Sequence, residues 1–197
     1  MLLDFETQNL PNFKLRARDS RQPHIVSVAA IICDDTGKTF ESYEAISKPD
    51  GWTIPKEVEA IHGISTEHAL KVGIPEKEIC AKLLDMILRT QLLVAYNATF
   101  DRFIQRIAMR RFDLMQDSDD EWWRTLPTYC AMKPMIDVCQ LPGKRRGQWK
   151  YPKLQESYKH AFGKEFVGAH NAMDDLKATK DLYFWIRNNI PDAVAKK

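Results

Sequence analysis

No run of apolar residues in this 197-residue chain approaches the ~18 needed for a helix to span a bilayer, so membrane partners are not expected. Cysteine is scarce. Cys33, Cys80, Cys130 and Cys139 form no CxxC pair, and no apolar leader precedes them. Buried or free thiols in a reduced, cytoplasmic setting are the expectation. An excess of one charge is also missing. Against 27 Asp and Glu stand 29 Lys and Arg, for a net charge of +2 and a pI near 8.3. No global basic field announces a nucleic-acid binder, and any such site must be a local patch. Repeats and low-complexity tracts are absent. What is present is enough apolar residue, 44%, to bury a core, in a length that fits one domain over 1–197.

Residues 2–7 (LLDFET) read as a short strand. Residues 8–23 are polar and basic with two prolines, and read as a loop or lid. HIVSVAAIICDD suits a central strand buried on both faces. A turn at Asp34–Gly37 leads into TFESYEAI, which alternates like a partner strand. These segments form an antiparallel meander. PKEVEAIHGI, PEKEICAKLLDMILRT and ATFDRFIQRIAMRRF have helical spacing, with the short buried strand QLLVAYN before the last. Residues 116–127 read as an acidic turn with exposed tryptophans. TYCAMKPMIDVC is a strand and a short helix, and LPGKRRGQWKYP a basic loop. KLQESYKHAF and HNAMDDLKATKDLYFWIRN are closing helices. This order predicts an α/β domain with a mixed central sheet, antiparallel meander then parallel strands, flanked by helices.

Three places hold acids that do not suit a core. Asp4 and Glu6 lie two apart in a strand and so share one face, with Phe5 in the opposite layer. Adjacent carboxylates repel unless a cation sits between them, and hard divalent cations take oxygen ligands. A solvent-facing edge strand explains this pair equally well. Asp101, in YNATFDRF, follows a buried strand; an acid in the first turn of a helix also simply favours the macrodipole. In the last helix, Ala172, Leu176, Thr179, Tyr183 and Ile186 make an inner stripe. Asp175 falls beside that stripe, where an unpaired carboxylate is costly, whereas Asp174 lines up with Lys177, Ala178 and Asp181 on a wet face. His170 is placed on the glycine-containing loop (FVGAH) that enters this helix.

Taken in order, Asp4-x-Glu6-Thr7, Ile61-His62-Gly63-Ile64, Asn97-x-x-Phe100-Asp101 and His170-x-x-x-x-Asp175 resemble the DnaQ-like, or DEDDh, 3′–5′ exonucleases. Each motif is weak alone; four in order across the chain are specific. The resemblance implies a ribonuclease H-like fold. It also implies that Asp4, Glu6, Asp101 and Asp175 hold two Mg²⁺ or Mn²⁺ ions, that Asp4 bridges them, and that His170 is the general base. Two metals about 4 Å apart activate a water, polarise phosphorus and stabilise the leaving oxygen. A histidine with a pKa near 6.5 takes the water's proton at neutral pH.

Substrate contacts implied by the same motifs are Thr7, Leu10, Ile61, His62, Asn97 and Phe100. The family's glycine after Thr-Thr is missing here, where Gln8, Asn9 and Leu10 follow Thr7. The following loop carries Lys14, Arg16, Arg18 and Arg21, either a solvated surface or a clamp on the substrate backbone. Lys144, Arg145, Arg146, Trp149 and Lys150 make a second basic cluster of the kind that suits single strands. The expected substrate is single-stranded DNA or a frayed 3′ end, released as nucleoside 5′-monophosphates. Exoribonuclease or RNA-trimming activity is the alternative. A further alternative is a proofreading subunit that mainly binds a polymerase or recombination partner, with Trp122 and Trp123 as the docking point.

Overall fold

The computed structural model describes residues 1–195. Six strands form one mixed sheet: β1 (Leu2–Thr7), β2 (Ile25–Cys33), β3 (Thr39–Lys48), β4 (Ile74–Pro75), β5 (Leu93–Ala95) and β6 (Thr128–Cys130), ordered β4-β3-β2-β1-β5-β6. The meander pairs antiparallel, with Asp4 opposite Ala29 and Glu6 opposite Ser27. β5 and β6 then add in parallel to β1. This is the expected α/β sheet.

Side-chain alternation sorts β1 cleanly. Leu3 and Phe5 enter the larger core, under α3 (Glu76–Leu88) and α4 (Ala98–Arg111). Leu2 faces the other layer and packs with Ala172, Leu176 and Tyr183 of α8 (Ala172–Asn189). Asp4 and Glu6 share the Leu2 face and therefore look toward the start of α8. β2 sends Val28 and Ala30 to one core and Ala29 and Ile31 to the other, as its unbroken apolar run predicts. The second layer is completed by α6 (Met132–Cys139) and α7 (Leu154–Phe162), which close over Tyr96, Leu182 and Ile186.

The predicted helix at the Ile-His-Gly-Ile motif is α1 (Lys56–His62). Gly63 ends it at φ 76°, and its N–H bonds Glu59 O at 2.7 Å. A left-handed cap of this kind costs a glycine little and most other residues more. Short elements that carry no periodic signal were not expected: α2 (Thr66–Val72), β4 and α9 (Asp192–Ala195).

Residues 116–127 differ from the expected acidic turn. They form a 3-10 turn at Asp117–Asp119 and a helix, α5 (Asp120–Thr125). Trp123 is buried at 5% exposure, and Trp122 packs on the same core. The reason is tertiary. Arg106 and Arg110 reach from α4 to Asp120 at 2.8 and 2.5 Å, and Arg110 also pairs Asp117. These pairs pull the acidic segment inward and take its indoles with it. Trp123 is therefore buried and Trp122 half-buried, where the sequence led us to expect exposed indoles.

The loop after β1 is held firmly. Gln22, 2% exposed, accepts from Asn12 N–H at 3.0 Å and donates to Asn12 O at 2.9 Å. Buried Glu76 accepts from Ile25 N–H at 3.0 Å and bonds His24 Nδ1 at 2.6 Å. Arg111 binds the same carboxylate at 3.3 Å and donates to Gln22 O and Pro23 O. The basic loop after α6 folds back as a hairpin-like turn, with Pro142 bridged to Trp149 and Lys144–Arg146 exposed at its tip.

Candidate active site

Three elements bring the predicted acids together. β1 supplies Asp4 and Glu6, with a register shift directly after Glu6 that ends regular pairing with β2. α4 supplies Asp101 from its first turn, where its N–H bonds Asn97 O at 3.3 Å. α8 supplies Asp175 from its own first turn. Asn171 caps that helix, its Oδ1 accepting from Met173 and Asp174 N–H at 3.1 Å each.

His170 sits on the loop just before this cap, as expected, at φ 71°. Its N–H donates to Asp175 Oδ2 at 3.2 Å. That bond ties the histidine to the acid beside it and leaves the imidazole exposed. Ligand atoms of Glu6, His170 and Asp175 all lie within 4.8 Å of one another. Asp175 Oδ1 is buried and, among the described residues, has no hydrogen-bond partner.

The titration behaviour shows the crowding. Asp4 is pushed well above the usual carboxylate range, first by burial and then by Asp101, Glu6 and Asp175. Asp101, only 3% exposed, is raised to about 8 by burial and by Glu6, although N–H groups of its own residue and of Phe5 oppose the rise. Burial and Asp175 raise Glu6 to about 7. Asp175 is raised by burial, against the His170 N–H. The four carboxylates therefore crowd one another, and among the described residues none of them forms a salt bridge with Lys or Arg, a set of oxygen donors that fits hard divalent cations.

This has a measurable consequence. Carboxyls raised in the folded protein hold protons that the unfolded chain, with its ordinary carboxylates, has lost. Their contribution to stability is complete below about pH 4 and is lost as pH rises through about 7 to 8. In chelator, the Tm is expected to fall between pH 5 and about pH 8, and Mg²⁺ or Mn²⁺ is expected to raise it most at the alkaline end. Differential scanning fluorimetry across this range checks both. A chelated Tm that climbs steadily through it would mean that the acids are not crowded.

The substrate candidates are placed as follows. Thr7 is buried and donates its hydroxyl to Asn9 O at 2.8 Å, which turns the chain outward. Leu10 then stands 79% exposed, and Ile61 of α1 is also exposed. His62 is buried. Its Nδ1 accepts from Ile64 N–H at 3.1 Å, and its pKa is lowered by burial, with a smaller contribution from His170. The α1 motif is therefore within electrostatic reach of His170. Phe100 is half-buried against the larger core, and Asn97 sits at the N-cap position of α4 without a side-chain cap bond. Lys14 and Arg16 are exposed. Arg18 does not behave as a free clamp: it pairs with Asp113 at 2.8 Å and reaches Gln116 at 3.3 Å. Asp174 is less wet than its spacing suggested. It pairs with Lys177 at 3.5 Å and lies so close to Gly168 that a Cβ there would meet its Oδ2 at 2.3 Å.

A mixed sheet of the ribonuclease H-like kind thus carries clustered acids and a histidine at one end. The exonuclease family model matches residues 1–183, and the chain belongs to that family, the DnaQ-like, DEDDh-type exonucleases. Comparison by sequence with curated proteins gives no match. Among solved structures, it resembles Escherichia coli exonuclease I in complex with a dT13 oligonucleotide, with a TM-score of 0.78 at 20% identity over 98% of this chain and 42% of that one. The zinc-bound form of the E. coli enzyme with single-stranded DNA gives a TM-score of 0.78 at 20% identity, over 98% and 41%. A moderately thermophilic exonuclease I from Methylocaldum szegediense gives 0.72 at 21%, over 98% and 41%. The chain thus spans about two fifths of the length of these exonucleases. Among the described residues, no helix is long and apolar enough to cross a membrane.

Proposed function

We propose that this chain, working as one unit, removes nucleoside 5′-monophosphates one at a time from the 3′ end of single-stranded DNA in a divalent-metal-dependent reaction. The observation that carries the reading is the meeting of Glu6, His170 and Asp175 ligand atoms within 4.8 Å, beside an Asp4 that also feels Asp101. Single-stranded oligonucleotides bound to the E. coli enzyme support the choice of substrate.

Asp4, Glu6, Asp101 and Asp175 would hold Mg²⁺ or Mn²⁺, which when bound lowers the pKa of water and stabilises charge on the leaving oxygen. The chain's own groups do the rest. A ring nitrogen of His170 takes the proton of the attacking water. Asp175 holds the His170 backbone, and so the imidazole, at the mouth of the site. Oxygen attacks phosphorus, the bond to the 3′ oxygen breaks, and the shortened strand keeps a 3′-hydroxyl. Exposed Leu10 and Ile61, with Phe100, supply apolar surface to wedge the terminal base.

The test is a 5′-labelled single strand incubated with Mg²⁺ or Mn²⁺ and with excess chelator. A ladder of products shortened one nucleotide at a time is expected with metal and none in chelator. Cleavage that persists after thorough chelation would sink the metal-dependent reading.

A further inference from the structure

A groove of about 620 Å³ runs along the free edge of the sheet at β6, between α4 and α6. One end is formed by Ala98 and Thr99. These two residues immediately precede Phe100 and Asp101 in the first turn of α4, so the groove begins within one helical turn of Asp101. Among the described residues, no acidic one lines it.

Its walls combine flat aromatic faces with cations. Phe13, 59% exposed, is held by stacking on Phe103 with ring centroids 4.7 Å apart. Arg102 is fixed flat: it donates to Trp123 O and lies 5.0 Å from that indole's centroid. Tyr129 contributes less: its ring packs edge-on against Tyr183 at 5.2 Å, and its hydroxyl is buried. Arg106 is already committed to Asp120 at 2.8 Å. Arg124 and Lys133 are exposed, and among the described residues Arg124 bonds only from Nε to the Asp120 carbonyl, at 3.3 Å. Their charges are left for an outside anion. Aromatic faces interleaved with unpaired cations are what a single strand needs, because every base has a π-face and every link a phosphate.

Resting on the exonuclease reading, we infer that this groove binds the stretch of single-stranded DNA lying 5′ of the nucleotide presented to the acids. Phe13 faces a base, and Arg124 and Lys133 take phosphates. The loop after β1 then contributes to substrate binding through Phe13 rather than through Arg18.

The experiment compares the wild type with Arg124→Ala/Lys133→Ala and with Phe13→Ala, all exposed positions. Substrates are a dinucleotide and an oligomer of about eight nucleotides. Anisotropy of a fluorescent single strand in chelator reads binding without cleavage. For the double variant, KM on the longer strand is expected to rise on the order of tenfold, with kcat and dinucleotide cleavage unchanged. The slope of log affinity against log salt is expected to shrink by about 1.4, or about 0.7 per phosphate contact. Phe13→Ala is expected to weaken binding about tenfold with the salt slope unchanged. Normal KM and slope in both variants, in an enzyme that still cleaves, would overturn the groove and leave the active site standing. A wild type that cleaves nothing, yet binds strands through Arg124 and Lys133, would sink the nuclease reading and support the groove.

Discussion

Asp101→Asn is expected to lower cleavage by about 10³-fold or more, the loss of about 4 kcal/mol of transition-state stabilisation, while making the chelated protein more stable. The two effects oppose each other for one reason. Asp101 is buried beside Asp4 and Glu6, and its carboxyl is raised to about 8 because ionisation there is costly. An amide of the same shape removes that charge and still accepts from backbone N–H groups. Above pH 8 in chelator, the Tm is expected to rise by about 2–4 °C for each kcal/mol of repulsion relieved. Adding metal should close or reverse the gap. Asp4→Asn, Glu6→Gln and Asp175→Asn are expected to lose activity similarly. Asp174→Ala, one residue from Asp175 and paired with Lys177, is expected to keep substantial activity. Kinetics and melting curves on one set of proteins check both halves. A variant that is inactive only because it melts early would contradict the account.

His170→Ala is expected to lower kcat by on the order of 10²-fold or more, with little change in strand affinity. The side chain sits on the loop before α8, and only its backbone N–H is committed, to Asp175. Truncation leaves that bond available, so the carboxylate set and its metal affinity are expected to persist. His170→Asn, with a residue that tolerates the φ of 71° better, separates lost imidazole chemistry from lost loop geometry. If the imidazole is the base, both variants fail alike and the acidic limb of the pH–rate profile disappears with it. Full turnover in either variant would leave the acids standing and move the base elsewhere.

The placement of the acids was legible because it depends on short periods. Two residues along β1 put Asp4 and Glu6 on one face, and the α8 stripe from Ala172 to Ile186 put Asp175 beside the core. Both need only local geometry. β2 was legible from its unbroken apolar run. What escaped depends on partners far away in sequence. The segment 116–127 looked like a wet turn because its acids were read without Arg106 and Arg110. Arg18 looked free because Asp113 lies 95 residues on. The ordering of residues 8–24 depends on Glu76 and Gln22, neither of which has a local signature. The groove at β6 escaped for the same reason: its aromatic and basic walls come from the loop after β1, α4, α5, β6 and α6.

The central claim is that one acidic centre works on a strand from its 3′ end. It is tested most directly by giving the protein, with Mn²⁺, three substrates of matched sequence: a 3′-labelled strand, a 5′-labelled strand and a covalently closed single-stranded circle. The account predicts immediate release of labelled mononucleotide from the first, a ladder of shortened strands from the second and an untouched circle. Nicking of the circle, or mononucleotide released first from the 5′ label, would contradict it.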